Sequence, residues 1–188
     1  MSNEFIRFMK KSLLVAVTLF ALRVFAVPEI FGSLIIESGY DIISSVGEAI
    51  GTAGIIMLLY ERFIWRINPL EKTPVISGSY DGEIEYQYNG GGRKRVRAKI
   101  KQSLLSVSVL MYTDEISSRS ISSVIFNNGS ECVLIYSYLT HPKSSVSKRN
   151  PIAYGTCRMS IEEKGVLKGT YWTSLSTIGD ITLIRESE

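Results

Sequence analysis

Two apolar stretches near the start of the chain, residues 12–27 and 42–60, constrain everything that follows, because a chain with two candidate membrane spans must carry its remainder as a domain held at a bilayer. The second stretch has 19 residues, which at about 1.5 Å each reach roughly 28 Å against a hydrocarbon core of about 30 Å. The first reaches only about 24 Å before Pro28 and contains Arg23. Together they predict an antiparallel helical hairpin. Arg23 follows Lys11 by 12 residues and Glu48 precedes Tyr60 by 12, which sets both about 18 Å from one membrane face. An ionisable side chain inside a span costs at least about 2.5 kcal/mol on insertion scales, and a neighbour of opposite sign at equal depth offsets it. Pairing of Arg23 with Glu48 is one reading; in the other, Arg23 snorkels and Glu48 is protonated or lines an oligomer seam.

Gly47 and Gly51 form a G-x-x-x-G pair beside Ala49, Ala53 and Gly54. Such a lightly built surface lets backbones approach closely, either to close the hairpin or to join neighbouring chains. Arg7, Lys10 and Lys11 precede the first span and Arg62 and Arg66 follow the second, while the connecting loop carries Glu29, Glu37 and Asp41 without a Lys or Arg. Both ends are therefore expected in the cytoplasm. A cleaved signal peptide is the alternative for the first segment; Arg23 and the lack of a clear small-x-small cleavage site argue against it.

The expected organisation is a two-helix hairpin at 1–66, a connector at 67–77 and a cytoplasmic ligand-binding domain at 78–188. Pro69 and Pro74 keep the connector out of regular helix and fairly stiff. A net charge of +3 is too mild for binding DNA or RNA. Cys132 and Cys157 are expected as free thiols, and one histidine, His141, with two distant cysteines does not make a metal site.

From Gly78 the hydrophobic period becomes two. Tyr80, Gly82, Ile84, Tyr86 and Tyr88 alternate with polar residues, and a turn follows at Asn89. Val96, Ala98 and Ile100 alternate with Arg95, Arg97, Lys99 and Lys101; Leu105, Val107, Val109 and Met111 form a third strand. Further strands are expected at 118–126, 131–139, 153–161, 166–173 and 179–185, with turn signals at 127–130 and 163–165 and a long polar stretch at 141–151. Eight antiparallel strands in chain order lose their exposed edges by closing into a barrel with an interior large enough for one small ligand; a two-sheet sandwich is the competing fold. The basic face of the second strand lies along an anionic leaflet, contacts another subunit, or is simply solvated.

Alternation also names an interior. Cys132, Leu134, Tyr136 and Tyr138 share one face, as do Leu167, Gly169, Tyr171 and Thr173, and Gly179, Ile181 and Leu183. Tyr136, Tyr138, Tyr171 and Thr173 bring aromatic faces and hydroxyls to one end of the barrel. Ser118, Ser120 and Ser122 add hydroxyls on alternate residues, and Arg119 and Arg158 are candidates for an anionic group. The chain offers no Gly-rich phosphate loop before a helix, no nucleophile with a credible histidine and no paired carboxylate site, so the expectation is a binding protein and not an enzyme, with no cofactor.

The spans, the connector and the segments Gly78-Ser-Tyr-Asp-Gly, Thr113-Asp-Glu-Ile-Ser-Ser-Arg-Ser, Leu134-Ile-Tyr-Ser-Tyr and Gly169-Thr-Tyr-Trp-Thr with Thr177-Ile-Gly resemble the two-transmembrane β-barrel effectors of bacterial CBASS anti-phage defence. The resemblance implies a cyclic dinucleotide made by a partner nucleotidyltransferase, its binding in the barrel, homo-oligomeric assembly, and loss of inner-membrane integrity leading to cell death. Two flat bases and two phosphates suit tyrosine rings, serine and threonine hydroxyls, and Arg119 and Arg158. The rival function is a membrane-tethered lipocalin-like carrier or sensor of a lipid or small apolar ligand, and a third is a structural subunit with a filled barrel.

Overall fold

The computed structural model describes residues 3–26, 35–87, 90–127 and 129–186. Val27, Pro28 and Glu29 of the expected hairpin, and Tyr88, Asn89 and Asn128 of the expected turns, lie outside the described residues. The chain divides into two compact units, Met1–Pro69 and Leu70–Glu188.

The first unit holds helix α1 (Asn3–Ala26), helix α2 (Ile35–Arg62) and a short 3-10 turn at Ile64–Ile67. Within α2, the 21 residues Ile42–Arg62 have a mean hydropathy of 1.8 and are long and apolar enough to cross a bilayer; among the described residues no other helix meets that standard. Arg7, Lys10, Lys11 and Arg23 all fall inside α1 and break up its apolar surface. Arg23 Nε lies 3.2 Å from Glu48 Oε2, and Lys11 Nζ lies 3.4 Å from the Tyr60 hydroxyl, so the two helices run antiparallel in register. Ser45, Ala49, Ala53 and Met57 are buried at four-residue spacing, while a Cβ at Gly47, Gly51 or Gly54 would meet nothing within 4 Å. Among the described residues nothing packs on the glycine face.

The second unit is a closed barrel in which each strand pairs antiparallel with the next and β8 returns to β1. The strands are β1 (Gly78–Tyr86), β2 (Gly92–Gln102), β3 (Val107–Tyr112), β4 (Ile116–Asn127), β5 (Cys132–Pro142), β6 (Tyr154–Ile161), β7 (Val166–Thr173) and β8 (Ile178–Arg185). Closure, not a sandwich, is the outcome.

Two local departures from strict alternation matter. The third strand starts two residues later than the apolar pattern suggests, because Ser103 N donates to Ser106 O at 2.8 Å and the two hydroxyls pair at 2.8 Å, turning the backbone before Val107. In β4 the register against β5 slips between Ser120 and Ser122, a bulge at Ile121. The bulge moves the inward face from even to odd residues: Ser118 faces in above it, Ile125 is buried below it, and Ser122 is exposed. Direct β3–β4 pairing covers only Tyr112↔Ser117 to Leu110↔Arg119. Beyond it, Ser120 Oγ accepts from Val109 N at 2.9 Å and Ser123 Oγ donates to Val107 O, so serine hydroxyls partner backbone groups that the bulge has separated.

One half of the barrel is solid. Ala98, Ile100, Val109, Ile125, Leu134, Met159, Leu167 and Leu183 are all buried there, four of them with no exposed surface. Apart from Ala98, each such side chain contributes about 1.5–3 kcal/mol by leaving water. The connector closes this end: Ile76 is buried, the Tyr80 hydroxyl donates to Ile76 O at 2.8 Å, and the Gln102 amide accepts from Ile76 N and donates to Pro74 O, both at 2.8 Å. The other half differs.

Candidate functional site

At the end of the barrel away from the connector, the wall encloses a cavity of about 570 Å³, within the roughly 300–1,000 Å³ of small-molecule sites. Its lining is built from the ends of β1, β3, β5 and β7 and the starts of β2, β4, β6 and β8. Alternation decides which residues face in. Tyr86 follows Ile84 on the inward face of β1, Lys94 precedes Val96 on that of β2, and Tyr136 and Tyr138 follow Leu134 on that of β5.

The tyrosines are held by glycines across the strands. Tyr138 pairs in register with Gly155, Tyr171 with Gly179, and Tyr86 with Gly92. A Cβ at Gly179 would sit 2.7 Å from the Tyr171 ring and one at Gly92 would sit 2.6 Å from the Tyr86 hydroxyl; at Gly155 it would collide with the Tyr138 ring. Three rings therefore lie down against bare backbone, which keeps them along the wall and leaves the centre open. Tyr136 is deepest: it is buried, its hydroxyl donates to Met111 Sδ at 2.8 Å, and its ring centroid lies 5.8 Å from that of Tyr138 at a 46° tilt.

Burial pushes the Tyr136, Tyr138 and Tyr171 hydroxyls above the ordinary phenol range, with the neighbouring Cys157 adding to each shift, so all three are neutral donors at physiological pH. Burial likewise pushes the Cys157 thiol up to about 12, which keeps it a thiol and an unreactive part of the wall. Among the described residues neither Cys132 nor Cys157 is in a disulfide. Hydroxyls of Thr113, Ser118, Thr140, Thr173 and Thr177 line the cavity nearer its mouth. Several of them already serve the loops: Thr140 Oγ1 accepts from Ala153 N at 2.8 Å, and Thr173 and Thr177 pair with each other.

The charges at the mouth come from three segments. Lys94 Nζ lies 2.7 Å from Glu115 Oε2, Arg149 Nη2 pairs with Glu115 Oε1, and all three residues line the cavity. The hydrogen bond from Lys94, with Arg149 close by, holds the Glu115 carboxyl below the usual carboxylate range.

Of the residues singled out in the sequence, Ser118, Tyr136, Tyr138, Tyr171 and Thr173 come together around this cavity. Arg119, Ser120 and Arg158 do not. Arg158 sits between the inward Cys157 and Met159, so it points outward, where its guanidinium holds Glu131 at 2.9 and 3.0 Å. Arg119 is exposed on the outer face between Ser118 and Ser120, and Ser120 is engaged with Val109 N. The cations that do reach the cavity are Lys94 and Arg149; the signal for the first is its phase, shared with Val96, Ala98 and Ile100. Arg149 lies in the polar stretch between β5 and β6, where no periodicity signals its direction.

Residues 71–185 match the family described as Cap15, cyclic dinucleotide receptor domain. The chain belongs to this Cap15 family. Among curated proteins, CD-NTase-associated protein 15 of Staphylococcus schleiferi is 39% identical over 127 residues, covering 66% of this chain and 69% of that protein. The match to the Cap15 receptor domain spans every strand of the barrel.

Proposed function

We propose that this chain is a membrane-held receiver for a cyclic dinucleotide, which enters the hollow end of the barrel and drives assembly of several chains and disruption of the bacterial inner membrane in anti-phage defence. The observation that carries the reading is the cavity itself: a receptor-family barrel left open at one end, walled by tyrosine rings laid on glycines and edged with neutral hydroxyls. Flat bases stack on such rings at about 1–3 kcal/mol each. The relative's name ties that protein to a CD-NTase, and we extend the tie here: a partner nucleotidyltransferase supplies the ligand.

The output is the helical unit. α1 and α2 form a two-span hairpin (residues 1–66) joined by the connector (67–77) to a cytoplasmic barrel (78–188), with both termini on the inner side as the Lys and Arg distribution favours. The close approach of Arg23 to Glu48 lowers the cost of two charges at one depth. The open Gly47–Gly51 face suits contact with a second copy. Ligand drives assembly only by binding the assembled barrel more tightly than the free one. A carrier of apolar ligands has no use for the Lys94 and Arg149 charges at the mouth.

The test is titration of the detergent-solubilised full chain with cyclic di-AMP, cyclic di-GMP and cyclic di-UMP, reading heat and particle size together. Binding of at least one, with growth in particle size, is expected. Absence of binding to all three would refute the reading.

A further inference from the structure

The arginines that the sequence offered for the ligand's phosphates point out of the barrel, which leaves the anionic half of a cyclic dinucleotide without a partner unless another group supplies it. The geometry of the mouth does. Lys94 at the start of β2 and Arg149 in the loop between β5 and β6 approach opposite oxygens of one carboxylate, that of Glu115 in the β3–β4 turn. Two cations converging on a pair of oxygens is how a phosphodiester is held, since its two non-bridging oxygens present the same fork.

We propose that Lys94 and Arg149 form a phosphodiester subsite that the Glu115 carboxylate fills in this structure and that the ligand takes over by displacing it. The inference rests on the cyclic-dinucleotide reading above. Charge permits the exchange: a phosphodiester carries one negative charge shared over its two non-bridging oxygens, as the Glu115 carboxylate does, and so replaces it one for one between Lys94 and Arg149. Neighbouring cations do not share the role. Arg93 and Arg95 alternate to the outer face of β2, where they pair with Glu85 at 2.6 Å and Asp81 at 2.9 Å. Because Lys94 keeps Glu115 ionised, ligand must compete with a carboxylate and not with a neutral acid.

The same contacts tie a loop across the mouth. Lys143 N donates to Glu115 O at 2.9 Å, so the β5–β6 loop is pinned to the β3–β4 turn by backbone as well as by Arg149. When Glu115 gives way, the backbone pin remains and Arg149 changes partner from carboxylate to phosphate.

The experiment compares the solubilised full chain with Glu115→Gln, Lys94→Gln and Arg149→Gln, titrating the same three cyclic dinucleotides and timing limited tryptic cleavage after Lys148 and Arg149. Glu115→Gln keeps the side-chain shape and removes the competitor, so affinity is expected to rise about 1.5- to 5-fold, the scale of an exposed ion pair. The Lys94 and Arg149 variants are expected to lose affinity, and Lys94→Arg to retain it. Without ligand, tryptic cleavage is expected to be faster in Glu115→Gln than in the unsubstituted chain. Unsubstituted protein that binds while Glu115→Gln binds equally or more weakly overturns the subsite alone. No binding by any form overturns the parent reading and the subsite with it.

Discussion

Substituting Gly155 by alanine isolates the role of the rings. The three nearest heavy atoms to a Cβ at this position all belong to Tyr138, with the hydroxyl oxygen 2.5 Å and Cε2 2.8 Å away, so the clash is with a side chain and not with backbone. Gly82 and Gly169, by contrast, face backbone and would break strand pairing if substituted. To regain an ordinary separation of about 3.5 Å, the Tyr138 ring must move off its strand by roughly 1 Å into the cavity. Overpacking of this kind costs about 1–3 kcal/mol of stability, which leaves a folded barrel with a lower melting temperature. Loss of one base-stacking surface costs about 1–3 kcal/mol, or about 5- to 150-fold in affinity. Calorimetric titration of Gly155→Ala, Tyr138→Ala and the double variant, with circular dichroism to verify folding, separates the effects. Once the ring is gone the extra methyl has nothing to displace, so the double variant should bind like Tyr138→Ala. A folded Gly155→Ala protein that binds like the parent would refute the reasoning, as would a further loss in the double variant.

Three further outcomes are expected. Arg158→Gln removes an exposed pair with Glu131 worth at most about 1 kcal/mol, so titration should find affinity unchanged and thermal melting nearly so; a large affinity loss would move the site to the outer face. Leu167→Ala, in the solid half and without exposed surface, should cost about 2–5 kcal/mol in chemical denaturation, and a cost below 1 would contradict a packed floor. With its thiol pushed up to about 12, Cys157 should be about one part in 10,000 thiolate at pH 8, gaining about tenfold per pH unit until near 12; alkylation followed by mass spectrometry should be slow and steeply accelerated by base, and rapid labelling at neutral pH would count against this.

How far the fold could be read depended on where alternation survived. β7 is the clean case: Leu167, Gly169, Tyr171 and Thr173 keep one phase throughout, and the strand runs Val166–Thr173 as its pattern required. The start of β3 was obscured because Leu104 is buried within the turn itself, so apolar residues continue through a segment that is not strand. The serines of β4 mislead for a physical reason: an extra residue at Ile121 reverses the inward face and leaves no mark in composition. The site was legible where it rests on strands, as with Tyr136, Tyr138, Tyr171 and Thr173, and the glycines opposite two of these tyrosines mark it more sharply than hydroxyl content does. It was not legible at Glu115 and Arg149, which come from a turn and a loop whose approach to Lys94 depends on barrel closure.

The most direct test is a structure of the full chain with a bound cyclic dinucleotide. The ligand is expected inside the open end, its bases against Tyr138 and Tyr171. A ligand seated on the outer wall beside Arg119 or Arg158, with the cavity empty, would contradict this.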